Sequence, residues 1–407
     1  MSLSVVTNIR NFQQLVDPYL LKLDKEFISF ECKNLLPPGE NYGSVMLQVE
    51  IKVLNRKKQE EIIHCVGKTV PPTSYLWEVF NTKVTFKSEI GMYKTIVPAL
   101  DIFGKENGVD NLMDFFAECF NARISLHLES NCVDEDAILL LQNLKVKGYN
   151  VMDRIEGLDL ECTKILLKNM AVMHAAPIAY RLARSEEFHK IILPFLERDT
   201  LFSPEEAFKK IILKTASKAC QQYPECILKI RDALNIVNLP PVICGDTFAT
   251  IIHNDLWTNN VMIKMIGGKP QKSIIVDFQC IEYGSPAHDL VFFLYSSVSL
   301  SVLKDGINVL IEYYFNIFKE TLNKLNVDNL IEFSLDKLNE ECKTATKERE
   351  FLHLLIMFNP ILTLKDKAKN LAELDENEAP FDENSLHENY YERVQFVVLD
   401  LLKRGWI

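Results

Sequence analysis

The chain has no apolar run approaching the roughly 18–20 residues that a membrane-spanning helix needs. The densest, Leu290 to Leu303, carries several serines and stops at Lys304. The opening MSLSVVTNIRNFQQ lacks a basic stretch followed by a sustained apolar core, so no secretory signal is expected there. The 10 cysteines are scattered without a CxxC pair, which argues against a disulfide framework and for reduced thiols in a cytoplasmic protein. Positive charge is in deficit, with 45 Lys and Arg against 56 Asp and Glu and a formal net charge of -11. That argues against nucleic acid or an anionic membrane as the main partner. It leaves room for an anionic cofactor, because phosphates need only local positive charge. A complete G-x-G-x-x-G is missing, as are internal repeats and low-complexity tracts.

What remains is ordinary globular composition, 48% hydrophobic and 25% charged, in a chain of 407 residues. That length is generous for one core and predicts two lobes. The most informative stretch is 251–279, IIHNDLWTNNVMIKMIGGKPQKSIIVDFQ. His253-Asn254-Asp255 is followed five positions after the aspartate by Asn260, then by an apolar strand closing on Asp277-Phe278. This is the spacing of a kinase catalytic loop and metal-binding aspartate. The alternation from Val261, the Gly267-Gly268 turn and the run into Asp277 predict a β-hairpin. A hairpin returns its second strand to the start of the first, bringing Asn260 and Asp277 to one end. Their oxygens are hard ligands suited to Mg²⁺. Asp255, on the loop before, is the candidate base for an attacking hydroxyl. His253 is expected to brace the loop rather than react.

Upstream, residues 4–31 have an amphipathic helical pattern. A turn-rich stretch follows, with Asn41, Tyr42, Gly43 and Ser44 at its end, where backbone amides can approach phosphate oxygens. Val45 to Val53 alternates strictly and predicts a strand. A charged turn leads to a second, antiparallel strand from Ile62 to Thr69. Lys68 ends that strand. A lysine there usually snorkels to solvent; as a phosphate-binding ammonium it needs an acidic partner on the next helix, Tyr75 to Lys94. Glu89 on its apolar face is the preferred partner, with Glu78 second. Residues 115–129 and 136–144 predict two more strands, ending at a hinge Gln142-Asn143-Leu144 whose backbone would meet adenine. The pattern is helical from Gly157 to Ala183, over 185–240, 306–325 and 348–370, and from Tyr390 to Lys403. His174 fits a satisfied core histidine. Asp289 is expected to cap its helix or brace the catalytic loop. Residues 373–388 are an acidic loop. Tyr313, Tyr314, Phe318, Phe351 and Phe358 are mostly core candidates, some of them able to line an apolar acceptor pocket.

These motifs together resemble the ecdysteroid kinase-like (CHK kinase-like) family, which is abundant in insects and related to choline kinases and aminoglycoside phosphotransferases. GENYGSVMLQVEI, VGKT, FKSEIGMYKTIVP, HNDLWTNN, VDFQ and SPAHDL carry the resemblance over nearly the whole chain. It implies an α+β, bilobal protein-kinase-like fold, with a small β-rich N-lobe (1–144) and a larger, mostly helical C-lobe (145–407). It implies ATP- and Mg²⁺-dependent transfer to a small-molecule hydroxyl, an ecdysteroid or similar sterol before a xenobiotic alcohol, choline or a non-catalytic binding role. Site roles follow: base at Asp255; metal ligands at Asn260 and Asp277; nucleotide contacts at Lys68, Glu89, Asn41, Tyr42, Gly43, Ser44, Gln142 and Leu144. A monomer or weak dimer is expected. Two departures stand out. The hinge, usually Glu-Asp-Leu in the family, is Gln142-Asn143-Leu144, and the catalytic-loop glycine is Asn254.

Overall fold

Alternation makes the first sheet. In β2 (Val45–Leu54), Leu47, Val49, Ile51 and Val53 are fully buried and alternate with half-buried neighbours, as a strand with one covered face requires. A computed structural model describes residues 9–35, 43–127, 129–196, 206–236, 238–242, 247–364, 367 and 381–407. It is a mixed α+β structure with a sheet in the N-terminal region and helices through the C-terminal region. Two compact units comprise residues 1–99, 115–150 and 274–280, and residues 100–114, 151–273 and 281–407.

The first unit holds α1 (Phe12–Lys22), β1 (Glu26–Asn34), β2, β3 (Glu60–Thr69), α2 (Ser74–Val79), α3 (Thr82–Gly91), β4 (Cys119–Arg123), β5 (Ile138–Gln142) and β6 (Tyr149–Asn150). The five-stranded antiparallel sheet has the order β1-β2-β3-β5-β4. Its register sets Met46 opposite Lys68 and Lys68 opposite Leu139. Phe12, Leu15, Val16 and Leu20 of α1 close the core over the sheet.

The helix expected over 4–31 is corrected. It stops at Lys22, and Asp24 adopts the left-handed conformation with φ 52°. Glu26–Asn34 is then an edge strand paired with β2. Its Phe30 ring stacks on Phe12 at 4.0 Å, so partly buried aromatics override the helical periodicity. The helix expected from Tyr75 to Lys94 is broken at Asn81, φ 45°, into α2 and α3. It runs on through a π-turn (Met92–Ile96) into α4 (Val97–Glu106). The strands expected over 115–129 and 136–144 shorten to β4 and β5.

The second unit contains α5 (Leu160–Ala183), α6 (Ser185–Glu187), α7 (Glu206–Ala219), α8 (Pro224–Leu234), β7 (Thr250–Ile252), β8 (Val261–Ile266) and most of β9 (Lys269–Ile275). It continues with β10 (Glu282–Gly284), α9 (Ala287–Ser297), α10 (Leu300–Lys324), α11 (Leu335–Ala345), α12 (Phe351–Leu362) and α13 (Asn389–Lys403). Asp159 caps α5 through the Cys162 N–H at 2.8 Å. The helical run expected over 185–240 is interrupted, with 197–205 and 237 outside the described residues. The helix expected over 348–370 ends at Leu362; 365–366 and 368–370 of that span and 373–380 of the acidic stretch also lie outside them. Among the described residues no helix is long and apolar enough to cross a membrane.

Gly267 and Gly268, both at positive φ (57° and 77°), make the two-residue turn between β8 and β9. Gly157 is more constrained. Its φ is 76°, and a Cβ there would lie 2.9 Å from the backbone of both Ser297 and Ser299. Gly157→Ala is therefore expected to destabilise the protein by roughly 1–3 kcal/mol or more. Urea unfolding checks it; an unchanged midpoint would contradict the close approach.

Candidate functional site

The chemistry-bearing residues fall into two constellations, one in each unit. In the first unit, β3 carries Lys68 into a nearly dry position, 5% exposed. Its Nζ lies 2.6 Å from Glu89 Oε2 and 2.7 Å from Asp277 Oδ1. Glu89, 2% exposed, reaches it from α3 and also accepts from the Phe278 backbone N–H. Burial alone would lower the Lys68 ammonium, but Asp277 and Glu89 outweigh it and push it above its ordinary value. Lys68 therefore remains a cation. Glu78 instead sits on α2, where it lines a cavity of about 750 Å³ with Trp77 and Arg123.

Asp277 adopts φ 66°, a conformation Asp tolerates better than most residues. Just after it, Phe278 is fully buried, stacked on Phe116 at 4.4 Å and edge-on to Tyr93 at 5.8 Å. These rings fix the segment that delivers the carboxylate. Sequence spacing did not foresee that Asp277 also pairs with Lys68, across 209 positions.

Gly43 and Ser44 stand at the entry to β2, and Ser44 is buried; Asn41 and Tyr42 lie outside the described residues. Gln142 ends β5, where its N–H bonds Glu118 O at 2.8 Å. The Leu144 carbonyl already accepts from Lys147 and Tyr149 N–H, both at 3.0 Å. That carbonyl is committed to a turn.

In the second unit, the loop after β7 carries His253, Asn254 and Asp255. Asn260 Nδ2 donates to Asp255 Oδ2 at 3.0 Å and to its carbonyl at 2.8 Å. The amide nitrogen is thus spent on orienting the candidate base, leaving Oδ1 as the atom able to meet a cation. Asp289 is the anchor beneath. Its Oδ2 accepts from His253 N at 2.6 Å, and its Oδ1 accepts from Asn254 N at 2.8 Å. His174 Nε2 lies 3.0 Å from Oδ2, and Tyr314 Oη lies 2.7 Å from His174 Nδ1. Asp289 braces the loop and makes no side-chain cap to α9; His174 is a satisfied core histidine.

Burial works against an ionised Asp289, but His174 and the His253 N–H outweigh it and hold the carboxyl below its usual value. A depressed folded pKa means that this stabilisation is present above about pH 4 and is lost as pH falls through the folded value. Asp289→Ala removes the acceptor of the buried His253 N–H and of the part-buried Asn254 N–H, at about 1–3 kcal/mol for a buried group. The expected result is a large drop in unfolding free energy near pH 7 that narrows at acid pH. An equal drop at both pH values would count against the ionised anchor.

The aromatics once available for an acceptor wall belong largely to the core. Tyr314 and Phe318 are fully buried, Phe358 is 1% and Phe351 5% exposed. Of the five only Tyr313 is half-exposed, beneath Lys164. Apolar periodicity on a helix does not separate a pocket wall from a packed interior. Among the described residues no group of three or more His, Cys, Asp or Glu side chains converges as a metal cage.

The class of the protein is a small-molecule kinase with an alcohol group as acceptor, and its family carries that assignment. A sequence model of the "Ecdysteroid kinase-like family" matches residues 38–327, more than half of the chain, and the protein belongs to that family. No curated protein matches it significantly. Solved structures similar to it include one from Ralstonia eutropha provisionally named an aminoglycoside phosphotransferase, at 12% identity, covering 96% of this chain and 95% of that one, with a TM-score of 0.43. A Plasmodium vivax ethanolamine kinase matches at 9% identity, 98% and 88% coverage and a TM-score of 0.39. A choline kinase from Streptococcus pneumoniae matches at 11% identity, 95% and 97% coverage and a TM-score of 0.29.

Proposed function

We propose that the protein transfers the γ-phosphoryl group of ATP to a hydroxyl of an ecdysteroid or comparable sterol alcohol. The observation that carries the reading is the Lys68–Glu89–Asp277 cluster, in which a buried ammonium is held by the buried Glu89 at 2.6 Å and the half-buried Asp277 at 2.7 Å. A cation so held is ready for the α- and β-phosphates of a nucleotide. Asp255 takes the proton of the attacking hydroxyl, and Asn260 keeps its carboxylate oriented. Asn260 Oδ1 and the second Asp277 oxygen are the hard donors that would hold Mg²⁺. That ion, when bound, neutralises the developing charge on the phosphates.

The preference for a sterol rests on family membership and not on an aromatic wall. The test is a panel assay of the purified protein with Mg²⁺ and labelled ATP against ecdysteroids, plant phenols and alcohols, choline and ethanolamine. Saturable labelling of an ecdysteroid is expected. Labelling of choline or of phenols alone would move the acceptor class, and no labelled product anywhere would favour a binding protein. Excess chelator is expected to abolish transfer; activity that survives it would remove the metal from Asn260 and Asp277.

A further inference from the structure

Asn254 lies one residue before Asp255, and the structure gives its side chain specific partners. Its backbone is left-handed, φ 63°, a conformation that costs a non-glycine residue on the order of 1 kcal/mol. Nδ2 donates to Glu282 Oε2 at 2.9 Å, and Oδ1 accepts from Arg349 Nη1 at 3.1 Å. The side chain is thus pinned on both sides, one residue before Asp255.

Arg349 is itself held. It is 8% exposed, in the π-turn (Thr346–Glu350) before α12. Glu350, 1% exposed, lies 3.9 Å from Arg349 Nη1. Glu350 also takes His288 Nδ1 at 2.7 Å on one oxygen and His353 Nδ1 at 2.9 Å on the other. Arg349 thus lies within ion-pair reach of a buried carboxylate whose hydrogen bonds go to the two histidines. Such an ionic group gains little stability over apolar side chains of the same volume. What it supplies is a fixed direction for one guanidinium, and that guanidinium points at the catalytic loop.

We propose that Arg349, oriented by Glu350, is a positioning residue that locks the Asn254 peptide and so sets the aim of Asp255. The kinetic part rests on the function proposed above; the structural part stands without it. Amide hydrogen exchange on the full chain, without nucleotide, reads the lock directly at the His253 and Asn254 N–H groups. Arg349→Gln is expected to speed their exchange by about 10-fold or more through local opening. Asn254→Gly, which keeps the backbone at ease and removes the side chain, is expected to do the same. The double variant is expected to match the single ones, because both break one chain of contacts. Arg349→Lys is expected to restore part of the protection, and it replaces Arg349→Gln should that variant not fold.

Arg393→Gln is the control, since Arg393 is a buried arginine bonded to the Tyr295 and Val298 carbonyls. It is expected to lower Tm without matching the effect at residues 253 and 254. Native-like exchange in the Arg349 variants, multiplicative effects in the double variant, or equal effects in Arg393→Gln would each overturn the proposal. With an acceptor in hand, kcat should fall by on the order of 10²-fold with the KM for ATP little changed. If no acceptor is phosphorylated, the proposed function falls while the exchange result still decides the lock.

Discussion

Replacing Lys68 by alanine is expected to remove ATP use and to destabilise the protein by about 3–5 kcal/mol, since it leaves a carboxylate buried without its cation. The reason is the geometry around Nζ, 2.6 Å from Glu89 and 2.7 Å from Asp277. Glu89 is 2% exposed and has no solvent to fall back on. Lys68→Met with Glu89→Gln removes both charges and keeps the volume, so it is expected to recover much of the stability and none of the transfer. Denaturant unfolding and phosphoryl transfer, measured on the two variants, separate the roles. A double variant that still uses ATP would show that the cluster serves the fold alone. Lys68→Ala at wild-type stability would show that Glu89 is not left stranded.

The second large effect is at Asp255. Asp255→Asn is expected to lower kcat on the order of 10²–10⁴-fold while changing the KM for ATP little. The new amide still offers an oxygen to Asn260 Nδ2, which now lies 3.0 Å from Asp255 Oδ2, so the loop keeps its shape. What is lost is the capacity to accept a proton. Steady-state kinetics on the acceptor identified by the panel assay decide it. Turnover near wild type would remove Asp255 from the mechanism, and lost ATP binding would assign it to the nucleotide.

Much of this was legible in the chain, for reasons particular residues make clear. Strict alternation from Val45 to Val53 fixed a strand because one face of it is fully covered. Gly267-Gly268 marked the hairpin turn because both residues take positive φ. Glu89, a carboxylate on an apolar helix face, asked for a partner, and Lys68 lies 2.6 Å away. Other features leave no local trace. The edge strand Glu26–Asn34 continues an amphipathic pattern and is told from helix only by its pairing with β2. Asn81 breaks a helix through one left-handed residue, which many sequences tolerate. Arg349, 95 positions from Asn254, and Asp277, 209 positions from Lys68, are tertiary pairings without a spacing signature. Tyr314 and Phe318 show the converse, an aromatic pattern that names burial but not what is buried against it.

The interleaving of the first unit bears on how the protein is made. Residues 274–280 belong to it, and they bring Asp277 to Lys68 and Phe278 to Phe116 and Tyr93. A nascent chain that has emerged only through β5 therefore cannot finish this unit. At roughly 5–20 residues per second, the ribosome must add many more residues before Phe278 arrives. During that interval the Phe116 and Tyr93 faces that Phe278 covers wait open to water, and Lys68 has Glu89 but not Asp277. The vulnerable period in this protein's biosynthesis is thus set by sequence distance, and chaperone dependence or truncation damage should concentrate in chains that stop short of residue 280.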